Sequence, residues 1–205
     1  AMQIEQAQAN LSGLGHDTQA VEKIMSNASA AVKGTAFGFG DAASAAASFI
    51  GAGVAQGEDL TRVLTLVGDT ASITGSSFGE MSAIWTKVAG NQKLTTQELN
   101  QLLDRGLGLL PVLQERYGVT AEEARKMVTE GKVSFEDFSA AMEDMVGGSA
   151  QKMGSTFSGS ADNMKAALGR LGAQLLDPVF EHAPAVFDAI GTTVDDIGTR
   201  LEPAV

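Results

Sequence analysis

The chain contains no cysteine among its 205 residues. Disulfides, thiolate metal sites and a cysteine nucleophile are thereby excluded, while the redox compartment is left open. Histidine is nearly as scarce. His16 and His182 stand at opposite ends, both expected on the surface. Neither has a second histidine at metal-ligand spacing, and no Ser-His-Asp set can be drawn from them. Aromatic residues make up only 5% of the chain, so Ala, Leu, Val and Met must supply the core. Basic residues are outnumbered 14 to 25, for a net charge of -11. A nucleic-acid binder needs Lys and Arg to neutralise phosphates, and often aromatic platforms for bases. The chain has neither in a cluster, so no direct nucleic-acid partner is expected, and the acidity reads as solubility. No secretory or transit peptide opens the chain. Ala1 before Met2 reads as a residue left from an expression tag, and the chain as an excised piece of something longer.

Motifs for cofactors are missing as well. Gly51-Ala52-Gly53 has Gln56 where a dinucleotide loop wants its third glycine, and no strand pattern precedes it. Gly131-Lys132 is followed by Val133 rather than by Ser or Thr, so there is no phosphate loop. Calcium-loop spacing is absent. No metal and no cofactor is therefore expected. Paired carboxylates occur at Glu58-Asp59, Glu122-Glu123, Glu136-Asp137 and Asp195-Asp196. Three of these pairs fall in first turns of expected helices, where negative charge suits the helix dipole. Nothing in the pattern supplies a catalytic set, and the chain is read as non-enzymatic.

What the sequence does hold is a series of helix starts. Thr95 stands three residues before Glu98, Thr120 before Glu123, Ser134 before Asp137 and Ser77 before Glu80. At this spacing the hydroxyl can accept a backbone N–H, and the acid can reach back to the cap's own N–H. Asp is shorter than Glu, so the box at Ser134 is the weakest of the four. Helical faces follow the starts. Val21, Ile24, Ala28 and Ala31 share one face. Leu60, Val63, Leu64, Val67 and Ala71 share another, as do Phe78, Met81, Trp85 and Val88. Asp41 reads as the cap of an Ala-rich helix reaching Ile50. Gly75 and Gly90 read as helix stops, and Pro111 opens a helix carrying Val112, Leu113 and Tyr117. The stretch from Gly34 to Gly57 is small and apolar but broken at Gly51 and Gly53. It is expected as a buried helix rather than a membrane span, which needs about 20 apolar residues. Lys93-Leu94-Thr95 resembles Lys132-Val133-Ser134, and the constrained chemistry of caps accounts for that likeness.

No period-two strand pattern survives its neighbours. The expected class is all-α: a compact cluster of short helices with a C-terminal helical extension. The organisation read from composition is a helical lead-in over 1–33, a compact domain over 34–146, a Gly/Ser-rich linker over 147–160 and a helical extension over 161–205. In that extension Phe187, Ile190, Val194, Ile197 and Leu201 run at heptad spacing. Gly191 and Gly198 weaken the segment by about 1 kcal/mol each relative to Ala. A seam without a partner is unstable in water, so these five residues are the candidate partner interface.

The order of these features resembles the N-terminal tape-measure domain of phage and prophage tail tape measure proteins. The resembling residues are the Lys93-Leu94-Thr95 start with Glu98-Leu99, then Gln101 to Gly106, Tyr117-Gly118, the start at Thr120, and Gly131-Lys132-Val133 with Phe138. Upstream, Ala36 to Ala43 resembles the block before the family's Ala-rich helix. Downstream, Thr156 to Ser160 and Asn163 to Gly172 resemble the segment leading out of the domain. The likeness runs from Val32 to Phe180. It implies a structural protein of the virion tail, assembled in the host cytoplasm, around whose long helical chain the tail tube polymerises and whose length sets tail length. It implies as partners the tail tube, assembly chaperones and tail tip, with self-association through the C-terminal helices as a further possibility. The alternative it leaves open is a membrane-active module that assists DNA passage across the host envelope.

Overall fold

The computed structural model describes residues 2–155, and the described residues hold ten helices and no strand. The all-α reading stands, as a compact cluster. The helices are α1 (Met2–Gly13), α2 (Thr18–Val32), α3 (Phe39–Gly51), α4 (Glu58–Thr74), α5 (Phe78–Asn91), α6 (Thr96–Asp104), α7 (Leu110–Tyr117), α8 (Ala121–Thr129), α9 (Phe135–Val146) and α10 (Ser149–Gly154).

The longest helix, α4, is the hub. It packs against α2, α3, α5, α9 and α10. Its first turn carries Glu58 and Asp59, which complement the dipole, and it ends on Gly75 in the left-handed region. Leu60, Val63, Leu64, Val67 and Ala71 are buried, as their spacing predicts, and Leu66, Asp69 and Thr70 are buried on a further face. A helix surrounded on so many sides cannot be polar on its second face without partners, and the Thr70 hydroxyl finds one in the Leu66 carbonyl at 2.6 Å.

The stretch read as a helical lead-in holds two helices, α1 and α2. Gly15 turns the chain with φ +91, and Asp17 caps α2 by accepting the Ala20 N–H at 2.8 Å. Both helices bury residues in the common core, Leu11 from α1 and Ile24 from α2 among them. The Ala-rich α3 starts at Phe39, with Gly38 as its N-cap. Asp41 therefore lies inside the first turn and is not the cap. There it suits the dipole, and it accepts a bond from Gln3 Nε2 at 3.1 Å. Ala42, Ala43, Ala45, Ala46, Ala47 and Phe49 are all buried. These small side chains let α1, α2 and α5 close on α3.

Of the four capping boxes, those at Ser77–Glu80 and Thr120–Glu123 form completely. In both, the backbone N–H of the cap lowers the glutamate pKa from its ordinary value. Ser134 accepts the Asp137 N–H at 3.0 Å. Asp137 does not reach back; its carboxylate instead takes the Tyr117 hydroxyl at 2.6 Å. Burial, with that bond second, raises the Tyr117 pKa. Thr95 caps α6 through the Gln97 N–H at 3.3 Å, and its hydroxyl pairs with the buried Glu98 carboxylate.

The two similar starts are in contact. Lys93 and Ser134 form an antiparallel bridge, in which Leu94 N–H donates to Val133 O at 2.9 Å and Phe135 N–H to Gln92 O at 3.1 Å. Leu94 and Val133 are both fully buried beneath it. The likeness thus has a structural counterpart beyond capping. Two helix–loop–helix units, α5–α6 and α8–α9, meet through their loops. The stop of α5 shifts accordingly, from the expected Gly90 to Gln92, which adopts φ +58. Trp85, Phe135 and Phe138 pack as an aromatic cluster beside the bridge.

Candidate functional site

The expected partner interface, Phe187, Ile190, Val194, Ile197 and Leu201, lies outside the described residues. The described chain instead builds a site where it leaves the helical cluster. Gly147 and Gly148 follow α9 and belong to the stretch read as a linker from 147 to 160. The structure differs from that reading over Ser149–Gly154, which form α10 and pack on α4. Gly148 takes φ +82, a left-handed turn that composition alone cannot distinguish from a flexible joint. Gly147 is also required for space, because a Cβ there would come 2.6 Å from the Glu143 carbonyl oxygen.

Asp69 of α4 holds this turn. One carboxylate oxygen accepts the Gly148 N–H at 2.9 Å and the other accepts the Ala150 N–H at 2.8 Å. Asp69 is 1% exposed, and Ala150 is buried beside it. A buried carboxylate is tolerable only when its oxygens are satisfied, and here the ends of a turn satisfy both. A second tie comes from α10 itself: Gln151 Nε2 donates to the Lys33 carbonyl at 2.7 Å, just past α2. The exit helix is thus bound at one point to α4 and at another to the end of α2.

Beside the clamp lies an open cleft of about 800 Å³ whose lining includes Asn27, Thr61, Arg62, Asp69 and Glu143. Arg62 crosses its wall. Its Nε and Nη2 donate to Glu143 at 3.1 and 2.8 Å, and its Nη1 to Glu136 at 3.2 Å. The hydrogen bonds it donates to Glu143 raise the guanidinium pKa further, so the group is a fixed cation. With its donors committed to α9, Arg62 ties α4 to α9 rather than waiting for a ligand. Asn27 Oδ1 likewise accepts the Gly57 N–H at 3.0 Å and fixes the entry to α4. Among the described residues no group of three or more His, Asp or Glu could hold a metal ion. The cleft is a set of braces between helices, with no reacting constellation.

The family model described as tape measure protein matches residues 1–177. The chain belongs to the tape measure protein family. It is therefore a phage tail component with a structural role, and the family is a non-enzymatic one. Membership also carries interaction with other phage tail components. The matched region begins upstream of Val32, where the likeness read from the sequence starts, in keeping with α1 and α2 sharing the core. Comparison with curated proteins and with solved structures finds no match. Among the described residues of this tape measure protein, no helix is long and apolar enough to cross a membrane.

Sequence reasoning did not find Asp69, Arg62 or Gln151. The partners of Asp69 and Arg62 are 74 to 81 residues away, and Gln151 bonds across 118. No local spacing carries such a signal. A single charge in the otherwise uncharged run Leu64 to Ala71 was the available clue.

Proposed function

We propose that this domain is the folded landmark at one end of the ruler in a phage tail. It is a non-enzymatic assembly domain that helps set tail length and organise tail tube polymerisation. The family match over residues 1–177 carries the reading. The geometry supports the division of labour. The longest helix has 17 residues, about 26 Å at 1.5 Å per residue, and is folded into a cluster that adds little length. Length would come from chain beyond the clamped exit helix, and the clamp gives that chain a fixed point of departure.

In this reading 161–205 begins the rod, and Phe187, Ile190, Val194, Ile197 and Leu201 are the seam through which copies or other tail proteins are gripped. The partners are the tail tube, assembly chaperones and tail tip, met in the host cytoplasm. A chain lengthened beyond Val205 should gain helicity and self-associate. Replacing Ile190 and Ile197 by Asp should abolish that association in solution scattering. A lengthened chain that stays monomeric, or association that ignores both substitutions, would count against the seam. The small residues of α3, which prompt the membrane-active alternative, are buried against α1, α2 and α5. Absence of vesicle leakage by the chain would dispose of that alternative.

A further inference from the structure

Helices α1 to α9 each bury at least one Leu, Ile, Val or Phe side chain. Among the described helices only α10 does not: its buried residues are Ala150 and Gly154, with nothing larger than a methyl group. Apolar packing therefore contributes little to its hold. Its ties are polar. Asp69 accepts the Gly148 and Ala150 N–H groups, and Gln151 Nε2 donates to the Lys33 carbonyl. Such bonds need donor and acceptor within about 3 Å and fail after a displacement of about 1 Å. Apolar burial is instead lost gradually, in proportion to area. Two features lower the cost of letting go. Asp69, Gly147 and Gly148 all line the open cleft, so water is at hand to solvate the carboxylate as its N–H partners leave. Gly148 has nothing within 4 Å of where a Cβ would stand, so the joint is free to turn. Release has a natural end at α9, which buries Phe138, Ala141, Met142 and Val146. Arg62 also grips α9 at Glu143, one turn before the joint.

We infer that α10 is a strap that lets go of α4 under tension, before α9 moves, and closes again when the tension falls. Any pull on the chain beyond Ser155 passes through α10 before it reaches α9. The stretch set free runs from Gly147 to Ser155 and spans at most about 32 Å when fully extended. It supplies slack at the point of departure while the core keeps its packing. That the departing chain carries load rests on the ruler reading; the order in which the attachments fail does not.

The absence of cysteine lets pulling handles be placed one pair at a time. The whole chain carrying Lys87→Cys, at an exposed position of α5, and Ser155→Cys is pulled between the two in optical tweezers. A reversible first step no longer than about 32 Å should appear, at a lower force than the main unfolding. Asp69→Asn should remove the first step, α10 being free already, and leave the main step in place. Gln151→Ala should raise the opening equilibrium of the strap about fivefold. Moving the handle from Ser155 to Asp144, ahead of the joint, should abolish the first step. A single unfolding step, or a first step that ignores Asp69→Asn or persists from Asp144, would overturn the inference. So would a much longer first step, in which α9 leaves with α10. None of these outcomes bears on tail length, by which the ruler reading stands or falls.

Discussion

Asn at position 69 is the sharpest perturbation of the exit clamp. The side chain keeps its volume and one carbonyl oxygen, so one of the two N–H donors at Gly148 and Ala150 stays satisfied. The other then faces an NH₂ group inside the protein. A hydrogen bond to a charged group contributes about 1.5–3 kcal/mol, and an unsatisfied buried donor costs about 1–3 kcal/mol. The two figures overlap, because the penalty of the orphaned donor is part of what losing the bond costs, and the local loss is about 2–4 kcal/mol. Against it α10 buries Ala150 and Gly154, and the Ala methyl is worth roughly 0.8 kcal/mol. The bond from Gln151 to Lys33 O adds about 1 kcal/mol. The clamp outweighs what remains, so Asp69→Asn should release α10 while α1 to α9 stay folded. Hydrogen exchange is the assay. Protection of the Gly148 and Ala150 amides should fall by roughly thirty- to a thousandfold, with little change at Leu94 or Leu99. Tryptic cleavage at Lys152 should accelerate in parallel. Unchanged protection at Gly148 and Ala150 would refute the reasoning, as would a loss spread equally over the whole core.

Thr120→Ala removes a complete capping box and should destabilise the chain by about 1 kcal/mol in denaturant unfolding, whereas Thr120→Ser should be near neutral. Gly131→Ala meets two obstacles, a φ of +68 and a Cβ position 2.8 Å from Lys93 Cδ, and should cost about 1–2 kcal/mol. Because Lys93 is a flexible side chain, Lys93→Ala should relieve the contact and leave only the backbone part. Glu80 and Glu123 are held below the ordinary carboxylate value by the N–H of Ser77 and of Thr120. Their contribution is present in full above the unfolded value of about 4.3 and is lost as pH falls through the lower folded value. The acid limb of stability between about pH 5 and pH 3 should flatten in the Glu80→Gln, Glu123→Gln double variant.

The helices whose starts are local chemistry were legible in the sequence. The boxes at Ser77 and Thr120, the αL stops at Gly75 and Gly118, and the buried face of α4 depend on residues within one or two turns. The differences arise where distant chain decides. Gln92 takes a conformation that Gly usually takes, and its carbonyl is then held by the Phe135 N–H across the bridge. Gly147 and Gly148 look like a joint because their composition is that of one. They become a turn because Asp69, 79 residues away, accepts the Gly148 N–H. The break between α1 and α2 was within reach, since Gly15 and Asp17 mark it, but the apolar face from Val21 onward masked it.

The ruler reading is tested most directly by tail length. Forty-two residues of heptad sequence inserted after Leu201, in the phage that encodes this chain, should lengthen its tails by about 63 Å in electron micrographs, at 1.5 Å per residue. The same number inserted in the exposed turn at Gly118, within the folded domain, should leave the length of any tails that form unchanged. Tails of unaltered length after the first insertion would contradict the account.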